Sequence, residues 1–124
     1  MIKKESLTGK ILGCAYTVHS ELGPGLFERV YEECLFYELC ESGLYVEKQV
    51  ELPVEYKGIT LDTGYKLDLL VEDEIILELK SVKELTDLHT AQLLTYMKLS
   101  DCEIGFLMNF NVKSLKDGIK RYIL

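Results

Sequence analysis

The stretch YKLDLLVEDEIILELK, residues 65–80, alternates twice around an acidic turn. Leu67, Leu69 and Val71 interleave with Lys66, Asp68 and Leu70, and Ile75, Leu77 and Leu79 interleave with Ile76, Glu78 and Lys80. Strict alternation is the mark of a strand with two different faces, so the stretch predicts a β-hairpin. Pairing Val71 with Ile75 sets Asp68 opposite Glu78, whereas a slip of one residue sends the two carboxylates to opposite faces. The turn Glu72-Asp73-Glu74 contains no Gly or Asn and does not fix the register by itself.

Two carboxylates and a lysine on one face have an ordinary reading, a solvated surface with a cross-strand ion pair. The flanking run is too apolar for that: Leu67, Leu69, Leu70, Val71, Ile75, Ile76, Leu77 and Leu79 point to a strand covered on both faces. Facing carboxylates in such a place repel unless a proton or a cation neutralises them. A hard divalent cation takes oxygen ligands, and Lys80 beside it can orient or help deprotonate a bound water. The spacing Asp68…Glu78-x-Lys80 resembles the core of the PD-(D/E)XK nuclease superfamily, with Leu67 where a proline often precedes the aspartate.

The chain has 124 residues, enough for one domain, 1–124, around one core. Apolar residues make up 48% and charged residues 28%, the balance of a soluble globular protein. No apolar run reaches membrane-spanning length, and the short segment after Lys3-Lys4 is too interrupted for a signal peptide; the expected location is cytoplasmic. Cys14, Cys34, Cys40 and Cys102 form no C-x-x-C pair, which points to reduced, partly buried small hydrophobes. The net charge of −7 argues against tight nucleic-acid binding, and the basic residues gather only modestly, at Lys113, Lys116, Lys120 and Arg121.

Leu7, Ile11, Leu12, Ala15, Val18 and Leu22 recur at helical spacing and predict a helix over 6–22. Gly23-Pro24-Gly25 breaks it. A second helix is expected over 26–41, with Gly43 placed to end it. Glu28, Tyr31 and Leu35 share one of its faces. Glu28 has two readings, complementing the helix dipole or serving as a third acidic ligand. Tyr31 likewise either hydrogen-bonds Glu28 or is a half-buried aromatic. The set Gly25-x-x-Glu28-x-x-Tyr31, then Gly64-Tyr65-x-x-Asp68, then Glu78-Leu79-Lys80, resembles the bacterial and archaeal family named for its G-x-x-E-x-x-Y motif, stand-alone domains grouped with PD-(D/E)XK nucleases. The resemblance spans nearly the whole chain with its motifs in order, and it implies that a glutamate on the first core helix, here Glu28, joins the hairpin acids.

Residues 45–57 predict one long strand with Pro53 at an edge or bulge; 59–62 continues as a strand into the central hairpin, giving a meander. A helix over 84–99, capped by Thr86 or Ser81, places His89, Gln92 and Tyr96 on one polar stripe. Gln92-x-x-x-Tyr96 resembles the Q-x-x-x-Y pattern of nucleases akin to the RecB and lambda exonuclease group, where this helix follows the Glu-x-Lys strand. His89 reads either as a phosphate-binding or as a plain surface histidine. Residues 103–109 form a strand expected to run parallel to the Glu78 strand, and 119–124 a last short strand.

The order of elements gives an α/β fold, a restriction-endonuclease-like core with a mixed sheet flanked by helices. The resemblance implies Mg²⁺, or Mn²⁺, on Glu28, Asp68, Glu78 and the Leu79 carbonyl. It implies Lys80 acting on the attacking water, and Gln92, Tyr96, Tyr31 and His89 placing substrate or ordering the site. The expected partner is nucleic acid, DNA ahead of RNA, with no membrane and with a homodimer as the way a small domain grips a duplex. Two other readings stand: a catalytically silent nuclease-fold module that binds protein or serves as a complex subunit, and a hydrolase of smaller phosphoesters.

Overall fold

The computed structural model describes residues 3–124. Two helices come first, α1 (Lys4–Leu22) and α2 (Glu28–Glu41), followed by strands β1 (Val46–Glu51), β2 (Val54–Tyr56), β3 (Ile59–Leu61), β4 (Lys66–Val71) and β5 (Ile75–Lys80). Helix α3 (Asp87–Ser100), strand β6 (Ile104–Asn109), a 3₁₀ turn at Leu115–Gly118 and strand β7 (Ile119–Ile123) complete the chain. Five strands form one sheet in the order β1-β4-β5-β6-β7, and β2 and β3 form a separate two-stranded hairpin. All neighbours are antiparallel except β5 and β6, which run parallel. Helix α3 makes the crossover that parallel pairing requires.

Strand β5 lies at the centre because its residues suit burial on both sides. Leu69, Val71, Ile75, Leu77 and Leu79 face Leu7, Ile11, Ala15 and Val18 of α1 and Tyr31, Leu35 and Leu39 of α2. Leu70, Ile76 and Leu107 face Leu93 and Met97 of α3 on the other side. Burying each such side chain is worth about 1.5–3 kcal/mol, so this double-sided run dominates the stability of the domain. Gly105 lets α3 approach closely, since a Cβ there would stand 2.7 Å from Met97 Sδ and 3.1 Å from Leu93 Cδ1.

The hairpin has the predicted register, Val71 opposite Ile75 and Leu69 opposite Leu77. Its three-residue turn is made without glycine: Glu72 and Asp73 adopt φ of 53° and 56°, the positive values that the two central residues of a type I′ turn need, and the Glu74 N–H closes it on the Val71 C=O at 3.0 Å. Helix α2 begins two residues later than its apolar pattern suggests, because Phe27 is extended. Gly43, at φ 84°, does end it.

The long strand expected over 45–57 is two strands. The β1–β4 register is the same on both sides of Gln49, which takes φ 53° within β1, and the pairing ends at Glu51 opposite Lys66. Beyond Leu52 and Pro53 the chain leaves the sheet. Val54 to Tyr56 then pair only with Ile59 to Leu61. A proline cannot donate to a ladder, so the excursion begins where the sheet can no longer be extended.

Candidate active site

The β4–β5 ladder of backbone pairs stops at Leu69 and Leu77, and two carboxylates take over from it. Glu78 Oε2 accepts the Asp68 N–H at 2.8 Å, and Asp68 Oδ2 accepts the Leu79 N–H at 2.8 Å. Each side chain thus satisfies a backbone donor of the opposite strand, leaving Asp68 Oδ1 and Glu78 Oε1 for other partners. The Leu79 C=O faces the same gap, because a strand residue presents its N–H and C=O to the same neighbour.

The pair is electrostatically costly. Glu78 is only 5% exposed. Burial, then the neighbouring Asp68 charge, pushes its carboxyl up to about 8, against the pull of the Asp68 N–H and of Lys80. Burial also raises Asp68, with Glu28 adding to the rise and the Leu79 N–H, Lys80 and Gln49 opposing it. Lys80, half-buried at the end of β5, draws both carboxyls down from nearby, although among the described residues it forms no ion pair with either. Its segment is held firmly. The Lys80 C=O accepts the Phe110 N–H at 2.9 Å. Buried Asn109 accepts from Val82 N–H (3.1 Å) and Asn111 N–H (3.2 Å) and donates to the Val82 C=O (2.9 Å).

On the α2 side, Asp68 opens onto a cleft of about 650 Å³ shared with Glu28, Glu32, Glu33, Arg29, Lys48 and Gln49. Glu28 faces it from the first turn of α2, but its Oε2 accepts the Ser81 N–H at 3.3 Å. Glu32, one helical turn on, is the more buried acid of the two, 8% exposed. Gln49 Nε2 donates to Glu32 Oε1 at 2.6 Å and reaches Asp68 Oδ1 at 3.5 Å. Burial and then the Asp68 charge raise the Glu32 carboxyl, and Gln49 partly offsets them.

Tyr31 does not bond Glu28. It is fully buried and stacks on Phe110 with ring centroids 4.6 Å apart. Its hydroxyl donates to the Gly23 C=O at 2.6 Å and accepts the Leu26 N–H at 3.2 Å. The Leu26 C=O in turn accepts the Ser81 hydroxyl at 2.6 Å, which ties the Gly23-Pro24-Gly25 turn to the residue after Lys80.

On the α3 side, Tyr96 is 6% exposed. Its phenol is raised by burial, then by the charges of Glu78, Tyr65 and Asp68, while Gln92 pulls the other way. Tyr96 packs with Leu67, Leu70 and Ile76 of β4 and β5, and Gln92, one helical turn before it, lines the same cavity. His89 is engaged in capping: its Nδ1 accepts the Thr86 N–H at 3.0 Å, and Thr86 Oγ1 accepts the His89 N–H at 3.4 Å, a reciprocal box at the start of α3.

The sheet is mixed, helices cover both of its faces, and its central hairpin carries an Asp–Glu pair with a lysine on the same strand as the glutamate. The family model of the PD-(D/E)XK nuclease superfamily matches residues 5–122. The chain belongs to that superfamily. Curated proteins and solved structures return no match.

PD-(D/E)XK nucleases work with divalent metals, and the donor set here can be tested against one. Among the described residues no group of three or more His, Cys, Asp or Glu side chains is arranged to hold a metal ion. The three-carboxylate set expected from the sequence is not assembled, because Glu28 turns to the Ser81 amide. The Asp68–Glu78 pair nevertheless fits Mg²⁺, which is typically bound by one or two carboxylates plus water and substrate phosphate. A buried, mutually repelling pair is also the chemistry that a cation relieves.

Sequence reasoning passed over Glu32, Gln49 and Asn109. For Glu32 a signal existed, since Glu28 and Glu32 are one helical turn apart and share a face. Gln49 and Asn109 carried none, because their roles arise from tertiary contacts.

Proposed function

We propose that the chain is a metal-dependent nuclease that hydrolyses phosphodiester bonds in nucleic acid, with DNA as its substrate. One observation carries this reading: Asp68 and Glu78 are held by backbone amides of each other's strands, at 2.8 Å each, with Lys80 two residues beyond Glu78 on β5. A silent scaffold has no reason to keep so costly a pair buried at the end of its central hairpin.

Asp68, Glu78 and the Leu79 carbonyl would hold Mg²⁺ or Mn²⁺, with Glu28 a candidate if it leaves the Ser81 amide. The chemistry such an ion supplies is charge neutralisation at the phosphate and a more acidic water. Lys80 orients the attacking water and helps remove its proton. The new P–O bond forms as the bond to the leaving sugar oxygen breaks. Gln92 and Tyr96 border the phosphate from α3. Tyr31 and Asn109 act at one remove, by fixing the segments around Glu28 and Lys80.

The test is cleavage of end-labelled single-stranded and duplex DNA, and of RNA, with Mg²⁺, Mn²⁺ or EDTA. Cation-dependent products that vanish in Lys80→Ala support the reading. Products from RNA alone would overturn the choice of DNA.

A further inference from the structure

A second cavity, of about 460 Å³, runs along α3 beneath the β2–β3 hairpin. Its apolar walls are Tyr65, Tyr96, Leu88, Leu99 and Val54; Gln92, Thr95 and His89 supply polar atoms, and no Asp, Glu, Lys or Arg lines it. The Tyr65 and Tyr96 rings lie 6.0 Å apart at 49°. Tyr96 is packed in, whereas Tyr65 is 49% exposed and Leu88, at 77%, stands almost free at the start of α3. The groove approaches the carboxylate pair at Tyr96, which packs in one cluster with Leu67, Leu70 and Ile76, the residues around Asp68 on β4 and ahead of Glu78 on β5.

We propose that this groove receives an unpaired nucleobase next to the scissile phosphate, stacked on Tyr65, so that the substrate is single-stranded DNA or a single-stranded end. The inference rests on the reading of Asp68, Glu78 and Lys80 as the hydrolytic centre. A phosphate bound there brings its own nucleotide's base within reach of a groove whose Tyr96 packs against the strands that carry the pair. The largely apolar walls, with Gln92, Thr95 and His89 as polar atoms along the edge, suit a flat heteroaromatic ring better than a charged peptide. A half-exposed tyrosine offers the ring face on which bases stack. The protein's net charge of −7 limits the affinity it can draw from phosphate contacts, and stacking supplies affinity that needs no basic surface. In a duplex the base faces are already stacked on their neighbours, and placing one in the groove would require paying for its extrusion.

The test uses a single-stranded DNA oligonucleotide carrying 2-aminopurine, titrated with the purified protein with and without Mg²⁺, and the same strand annealed to its complement. Wild type should quench the probe and bind the single strand more tightly than the duplex. Tyr65→Ala should weaken single-strand binding by about 5- to 150-fold, and Tyr65→Phe, which keeps the ring, should restore it. The backbone at Tyr65 is held independently, since its C=O accepts the Leu52 N–H at 2.9 Å. Should Tyr65→Ala fail to fold, Leu88→Asp, on an exposed position, tests the same groove and should also weaken binding. Equal affinity for duplex and single strand, or no loss in either variant, would overturn the proposal. So would light scattering that shows a dimer converted to monomer by Leu88→Asp, because the groove would then be a face between two copies. Quenching does not require turnover. Stacking without cleavage of any nucleic acid would therefore sink the nuclease reading alone, and cleavage indifferent to Tyr65 would sink the groove alone.

Discussion

Asp68 and Glu78 each accept a backbone N–H from the other's strand, at 2.8 Å in both directions. The exchange locks two carboxylates together where the hairpin ladder ends. It also brings together like charges that repel, so structure and function pull in opposite directions at this point. An amide side chain keeps the accepting oxygen and removes the charge. Asp68→Asn and Glu78→Gln should therefore fold normally and, without metal, melt a few degrees higher than wild type, about 1 kcal/mol. Melting curves in EDTA check this.

The same burial gives the metal-free protein a pH dependence. The Glu78 carboxyl stands at about 8 in the fold against an ordinary 4.5. Between those values the folded state holds a proton that the unfolded chain has released, so stability falls as pH rises. The contribution is full below about 4.5 and gone above about 8. Chemical denaturation in EDTA should show lower stability at pH 8 than at pH 6, and Glu78→Gln should flatten the difference.

Asn109 closes three backbone bonds around Val82 and Asn111 while 2% exposed. Asn109→Ala leaves those groups without their partner and should cost about 2 kcal/mol or more. Because the Val82 segment directly follows Lys80, hydrolysis per folded molecule should drop as well. Denaturant titration and rate measurement on the same sample separate the two effects.

Tyr31→Phe removes a hydroxyl that holds Gly23 and Leu26, and through Leu26 the Ser81 side chain. A loss of about 1–2 kcal/mol is expected, with kcat reduced more than substrate affinity. The ring itself stays stacked on Phe110, so the fold survives.

The hairpin was legible because alternation with period two leaves one register that buries the leucines, and that register alone pairs Asp68 with Glu78. The parallel β5–β6 pair followed from a helix between two strands. The backbone at Gln49 was illegible. Gln49 adopts a left-handed backbone beside Glu32 and Asp68, a conformation that composition does not announce and that is found where sites store strain. Pro53 signalled an edge or bulge but not that the chain would leave the sheet. Tyr31 was placed on the correct face, yet its partners at Gly23 and Leu26 became visible only once the turn was folded back on α2.

The most direct measurement is hydrolysis of end-labelled DNA by purified wild type, Asp68→Asn and Lys80→Ala, in Mg²⁺, Mn²⁺ and EDTA. If Asp68 and Lys80 belong to the hydrolytic centre, wild type cleaves in a cation-dependent way and each variant falls by about 100-fold or more, with all three proteins folded. Cleavage by Asp68→Asn at the wild-type rate, or a folded wild type that cuts neither DNA nor RNA with either cation, would contradict it.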